Sequence, residues 1–437
     1  SPNSRNDLFI ADSNFGMYPS DIDSCHSLKE SREKYHWPEY INVATGKNSK
    51  ERVIEAAELL DGALRLSGSV QSLDEKVLSN IKRKNISVDG LVELGLHSKR
   101  VGVNSYSEII LGLPGDSKQA HQDTIRKIID AGFNIVLPWQ LMLIHGSELA
   151  TESNRKRYKM DVRARIFPRC YGSYRLFGKD INIAEVEEVC VANDTLPFED
   201  YLECRRLNLF VAIFYNDTIF SGILKLLRSM DISIFDWILC LLEKSKGSKL
   251  EPLVDEFLNE TNGELWSSKS DLKAFFSQKV NIKRYISGEL GRNNLYFYRT
   301  LALTREIDTL RDLAREAALE VVNIAGHRDQ ALTQFISELV EYHSMRIRDI
   351  FTDYEDKIIG TFRYDFAAFE KTEAEFDELR ATEPRQYEFF HNEEQRDLIK
   401  RSLHVHGSDS VGIARILSRV FVKKLYREVE TKKALSA

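Results

Sequence analysis

Five short apolar runs, each set apart from the next by a stretch long enough for a helix, fill the first 140 residues. They are Leu8–Ala11, Tyr40–Ala44, Leu64–Ser67, Ile109–Leu113 and Asn134–Leu137. Between them Asp21–Tyr35, Lys50–Leu60, Asp74–Arg83 and Lys118–Ala131 read as helices; Val53, Ala56, Ala57 and Leu60, for instance, share one helical face. Apolar strands joined by helices cannot pair as hairpins. They predict a parallel sheet with right-handed crossovers, hence an α/β fold.

A polar cluster follows each strand: Asp12, Thr45 with Lys47, Gln71, Pro114-Gly115, and Gln140. In parallel sheets this carboxyl edge is where ligands bind. The richest part is Leu64 to Gly115, which reads as strand, helix, linker, strand, with Arg83 on the end of the helix. It supplies an amide (Gln71), a guanidinium (Arg83) and a carboxylate (Glu108) from one βαβ unit. That set suits a ligand bearing a diol, a carboxylate and a cationic centre. The competing reading, loop residues that merely end strands, explains one such cluster better than it explains five. Asp12, Asn14, Thr45 and Lys47 are candidates to face a substrate. Asp12 and Asn14 read equally well as an Asx turn, and Lys47 as a solvated lysine.

Beyond this region the pattern changes. Arg163–Tyr171 reads as a connector and Val186–Val191 as one more strand. After Phe198 the chain is expected to be nearly all helical, for example at Leu303–Val321, Ile234–Leu242, Leu332–Ile347 and Glu373–Leu379. The division expected is 1–172 for the α/β part and 173–437 for a mainly helical, all-α region. The apolar run Leu207–Leu227 holds Asn216, Asp217 and Lys225, so it reads as a buried helix rather than a membrane span. A net charge of −6 gives no electrostatic footprint for nucleic acid. Cys25, Cys170, Cys190, Cys204 and Cys240 are odd in number and far apart, with no C-x-x-C pair, as expected of reduced thiols in a cytoplasmic protein. His404 and His406 are spaced as strand neighbours, with no Cys or Asp beside them to complete a metal site.

Several motifs, taken together, resemble the radical SAM enzymes, in particular their anaerobic coproporphyrinogen oxidase-like and cobalamin-binding branches. Val70-Gln71-Ser72, with Arg83 twelve residues after the glutamine, resembles their fourth-strand G-V-Q-S pattern, although Ser69 stands where that family has glycine. Glu108 to Ser117 resembles the fifth-strand motif D/E-x-I-x-G-L-P-G-E-T, and Pro138-Trp139-Gln140 through Leu149 the sixth-strand region. Ile10 to Gly16 resembles the third-strand I-x-D-x-N-F. Leu8–Tyr18 and Phe167–Cys170 are similar to the cobalamin-binding branch. The resemblance covers Leu8 to Gly172 and implies a partial (β/α) barrel of strands three to six. In such a site Gln71 would bind the ribose of S-adenosylmethionine, Arg83 its carboxylate, and Glu108 its ribose or amino groups. Gly112, Pro114, Gly115, Pro138 and Gln140 would flank the adenine with backbone.

The resemblance also implies cleavage of S-adenosylmethionine to a 5′-deoxyadenosyl radical, with cobalamin-dependent methyl transfer or a rearrangement as the reaction, and with it a 4Fe-4S cluster, cobalamin as a further cofactor, a reductant such as flavodoxin or ferredoxin, and a small-molecule or natural-product substrate. It implies no membrane and no nucleic acid. The chemistry of that family needs a C-x-x-x-C-x-x-C loop, which this sequence lacks. The expectation is therefore an N-terminally truncated, inactive portion of such an enzyme, without the cluster loop and any cobalamin domain. Two alternatives stand beside it: a non-catalytic protein that keeps a SAM-shaped pocket, and an unrelated barrel enzyme.

Overall fold

The computed structural model describes residues 7–432 except 39, 47–48, 62, 65, 84–89, 96–104, 373 and 421. The chain is a mixed α/β protein, and its packing divides it into two compact units, 1–141 with 192–201, and 142–191 with 202–437.

In the first unit, β1 (Asp7–Phe9) pairs in parallel with β2 (Tyr40–Asn42). β3 (Leu66–Ser67) pairs in parallel with β4 (Ser105–Leu111), which pairs in parallel with β5 (Ile135–Gln140). A parallel bridge between Ile41 and Leu64 joins the two groups, so the strands lie in sequence order. The helices between them are α1 (Pro19–Tyr35), α2 (Lys50–Leu59), α3 (Glu75–Asn80) and α4 (Lys118–Asp130). The expected parallel, helix-connected sheet is therefore present. Its strands, however, are not uniformly buried on both faces. Along β4 Ser105, Ser107, Ile109 and Leu111 are buried, while Tyr106, Glu108 and Ile110 are half-buried on the other face.

The helix α4 fixes the sheet from the other side. Ser117 caps it by accepting from Ala120 N, and Ala120, Thr124, Ile125, Ile128 and Ile129 form its buried stripe. Thr124 Oγ1 also accepts from Leu73 N at 3.1 Å, tying the chain after β3 to α4.

The second unit corrects several expectations. Arg163–Tyr171 is not a connector. It lies inside β6 (Asp161–Leu176), which forms a two-stranded sheet with β7 (Lys179–Ala192). Phe177 and Gly178 turn this hairpin at positive φ. The tip of the hairpin is exposed, while nearer its base Val162, Ala164 and Ile166 alternate with Arg163 and Arg165. Of its buried residues, Ala164 and Ile166 pack on Leu272, Phe276, Ile282 and Tyr285 from distant helices, and Val189, Cys190 and Val191 are buried as well.

Nor is the chain after Phe198 all helical. β8 (Ile358–Tyr364), β9 (Arg380–Phe390) and β10 (Glu428–Thr431) form an antiparallel sheet. Residues 374–379 are not helical, and His404 and His406 lie on a helix, Glu393–His406, not on a strand. The run Leu207–Leu227 is broken by a π turn at Val211–Tyr215 and a 3-10 turn at Asn216–Thr218. Among the described residues no helix is long and apolar enough to cross a membrane.

Candidate functional site

Past Ser67 the chain leaves β3 but keeps pairing with β4. Gln71 N donates to Glu108 O (2.9 Å), and Ile110 N donates to Gln71 O (2.8 Å). Gln71 does this at a φ of 62°, a left-handed conformation costly for a residue with a Cβ. Gln71 and Glu108 thus sit on neighbouring parallel segments at the carboxyl edge.

Glu108 is held at both oxygens. Ser69 Oγ donates to Oε2 at 2.9 Å, and the exposed Trp139 donates from Nε1 to Oε1 at 3.1 Å. A carboxylate offers about four acceptor positions, so two neutral donors orient it without using it up. Ser69 also meets Ser67 Oγ at 2.9 Å.

Arg83 lies past the end of α3 rather than on it, because the helix stops at Asn80. Its backbone N still donates to Leu78 O at 3.0 Å. Its Nη2 approaches Ser69 O at 3.4 Å, and burial lowers its pKa. Arg83 and Glu108 therefore both touch Ser69, one at its carbonyl oxygen and the other at its hydroxyl.

The turn after β4 is built from glycines around a buried acid. Asp116 accepts from Gly112 N (3.0 Å) and Ser117 N (2.9 Å), and burial pushes its carboxyl up to about 7. Gly112 and Gly115 both need positive φ, 88° and 79°. A Cβ on Gly115 would lie 2.5 Å from Asn80 Nδ2, which donates to Pro114 O at 3.0 Å. Residues 192–201 brace the same turn from outside: Asn193 Nδ2 donates to Leu113 O, and Thr195 Oγ1 donates to Asp116 O. Gly112, Pro114 and Gly115 are buried. Pro138 and Gln140 stand opposite Ile109 and Leu111 in register, and the enclosed Gln140 Oε1 accepts no hydrogen bond among the described residues.

A cavity of about 720 Å³ opens beside the sheet, walled by the ends of β1 and β2 and by Tyr106, Glu108, Ile135 and Leu137. Asp12 and Glu108 are its acidic lining; Gln71 and Arg83 do not line it. Asp12 accepts from Asn14 N at 2.7 Å, an Asx turn, and Asn14 Nδ2 donates to Ser13 Oγ. Thr45 is buried and accepts from Ser67 N at 3.4 Å, so it links the ends of β2 and β3. Lys47 lies outside the described residues. Sequence reading missed Ser69 and Trp139 as the groups that orient Glu108, and Asp116, Asn193 and Thr195 as those that shape the turn. Only Asp116, inside the Gly112–Ser117 motif, carried a signal.

The five cysteines are dispersed and form no disulfide among the described residues. Cys25, Cys190 and Cys204 are buried, and no group of three His, Cys, Asp or Glu side chains is placed to hold a metal among the described residues. Burial pushes the Cys25 and Cys240 thiols up to about 11, and that of Cys170 upward as well. Metal ligation needs thiolates. The residues of this chain therefore do not fit a 4Fe-4S cluster.

No family model matches the chain. It is 31% identical over 201 residues to the cobalamin-dependent radical SAM methyltransferase TokK of Streptomyces tokunonensis, a stretch covering 45% of this chain and 29% of that protein. It is 36% identical over 129 residues to a 2-(S-pantetheinyl)-carbapenam-3-carboxylate methyltransferase of Streptantibioticus cattleyicolor, covering 29% of this chain and 19% of that protein. The chain thus matches less than a third of the length of these curated relatives. At modest identity it is similar to two methyltransferases, one of them named as a cobalamin-dependent radical SAM enzyme.

Proposed function

We propose that this chain carries the S-adenosylmethionine-binding edge of a radical SAM methyltransferase of the cobalamin-dependent kind. The observation that supports the reading is that Glu108 accepts from Ser69 Oγ while Arg83 Nη2 approaches Ser69 O, with Gln71 paired by backbone to the Glu108 strand. On this reading the sequence-ordered parallel strands are the later strands of a (β/α) barrel, and the helix-rich second unit is an addition to it. Both relatives are named as methyltransferases, which favours methyl transfer over rearrangement, and the substrate would be a small natural-product intermediate.

The roles follow from charge and shape. Glu108, pre-oriented by Ser69 and Trp139, accepts hydrogen bonds from ribose hydroxyls or an ammonium group. The guanidinium of Arg83 pairs with the methionyl carboxylate. Gln71, in its costly backbone conformation, offers an amide to the ribose. The iron–sulfur cluster, which in that family supplies the electron that splits S-adenosylmethionine, has no ligand set here, and no step through it is derived.

The scattered thiols favour a second reading for the stretch in hand, that it holds the nucleotide without performing chemistry. Calorimetric titration of the full chain with S-adenosylmethionine tests the shared premise. Weak binding that disappears in Arg83→Ala and Glu108→Gln is expected. Binding unchanged by both substitutions, or none at millimolar ligand, overturns the assignment of the pocket. Coding sequence upstream with three cysteines at C-x-x-x-C-x-x-C spacing then separates the enzyme from the binding protein.

A further inference from the structure

The tip of the β6–β7 hairpin is apolar on the face turned away from its own core. Phe177 and Gly178 form its turn at φ 52° and 76°, the pattern of a two-residue type I′ turn. Such a turn sets the register: Leu176 lies opposite Lys179, Tyr174 opposite Ile181, Gly172 opposite Ile183 and Tyr171 opposite Ala184. The packing agrees, because Tyr171 and Ala184, neighbours across the strands, both rest on the buried cluster of Ile166, Leu272 and Tyr285. Alternation then puts Tyr174, Leu176, Ile181 and Ile183 together on the other face, and all four are exposed.

The outer edge of β7 is open along the same stretch. At the base of the strand Leu143 N donates to Glu188 O at 2.8 Å, so the backbone groups of even-numbered residues point away from β6. Those of Asp180, Asn182 and Ala184 therefore face outward, and among the described residues no other segment pairs with them. The outer edge of β6 is met instead, where Ala164 bridges Trp266 and Arg169 N donates to Gly291 O. Around Asn182 the sequence Lys179-Asp180-Ile181-Asn182-Ile183-Ala184-Glu185 is self-complementary. Laid end for end on itself, it sets Ile181 against Ile183 and Lys179 against Glu185. Lys179 and Glu185 are exposed and make no ion pair among the described residues.

We propose that β7 pairs antiparallel with β7 of a second copy of this chain, about a two-fold axis at Asn182. Backbone bonds then join Asp180 to Ala184 of the second copy, and Asn182 to its own counterpart. Ile181 and Ile183 meet as a non-hydrogen-bonded pair, where side chains approach most closely, and Lys179 pairs with Glu185 in the same way. The two hairpins become one sheet with a continuous apolar face. In this register the fully exposed Phe177 of one copy stands opposite Glu187 of the other, so the pairing ends just before the position that Leu143 holds. A charge pattern that complements itself favours a second copy over an unrelated partner, and an open strand edge is the template for such addition. The contact lies within the second unit and does not depend on the S-adenosylmethionine reading.

The test is sedimentation equilibrium of the full chain, joined to hydrogen exchange of its backbone amides. A dimer in the micromolar range is expected, with the amides of Asp180, Asn182 and Ala184 protected in it and released on dilution. Lys179→Glu and Glu185→Lys each set like charges against one another and weaken the dimer by about tenfold, while the two together restore it. Asn182→Pro removes the central outward amide, spares the bonds within the hairpin, and gives a monomer. The proposal is overturned by a parent chain that stays monomeric throughout the micromolar range, by a dimer in which those amides exchange freely, or by a double charge variant that associates no more tightly than the single ones.

Discussion

Ser69 Oγ donates to Glu108 Oε2 at 2.9 Å, between the chain that leaves β3 and its neighbour β4. The residue that departs from the glycine of the resembling motif is therefore the one that orients the acid. A glycine there has no donor to offer. Ser69→Ala is expected to cost about 1 kcal/mol, the usual worth of a half-buried hydrogen bond to a carboxylate. Urea unfolding of the two proteins measures it, and Ser69→Gly should cost somewhat more through chain entropy. Equal stability would show that Trp139 alone suffices to hold Glu108.

Gly115 is the second test of the edge. A side chain there must adopt a φ of 79° and meet Asn80 Nδ2 at 2.5 Å. Gly115→Ala is expected to destabilise by about 2 kcal/mol, combining left-handed strain with loss of the Asn80–Pro114 bond. Adding Asn80→Ala should recover only the steric part, which a double-mutant cycle reads directly. Simple additivity of the two losses would contradict the contact.

Asp116 sets a pH dependence. Burial raises its carboxyl from 3.8 to about 7 in the folded protein, so folding favours the protonated form. The stability contributed by this group is full below pH 4 and declines as pH rises towards 7, by an amount on the order of a few kcal/mol. Asp116→Asn removes that decline. Asparagine has one acceptor oxygen for the two amides of Gly112 and Ser117, so the variant should be no more stable than the parent at pH 5. At pH 8 it should gain ground, as unfolding midpoints at the two values would reveal. A pH-independent difference would rule the mechanism out.

His343 works in the opposite sense. It is buried, its Nε2 accepts from Gly222 N at 3.0 Å, and burial, then the charge of Arg346, lowers its pKa to about 3. Folding favours the neutral ring, so its contribution is full above pH 6.5 and is lost as pH falls towards 3. His343→Gln keeps an acceptor for Gly222 but cannot protonate. At pH 7 the variant should be less stable by roughly 1–2 kcal/mol, and the gap should close towards pH 4 in thermal scans. A gap that widens in acid would refute the assignment.

What the sequence determined by itself is the first 140 residues: apolar runs too short for helices and too far apart for hairpins can only form a parallel sheet, and their polar ends must line one edge. That the segment of Gln71 runs beside the strand of Glu108 was legible because strand and turn chemistry are local. The β6–β7 hairpin and the sheet of β8, β9 and β10 were missed although β8 alternates, with Gly360, Phe362 and Tyr364 buried between exposed Ile359, Thr361 and Arg363; what the chain does not record is which strand each one pairs with. Tertiary structure alone decided that Ser69 and Trp139 hold Glu108, and that residues 192–201 brace the turn at Asp116. Each of those contacts joins residues distant in the chain, and local propensity carries no record of which distant partner a side chain will find.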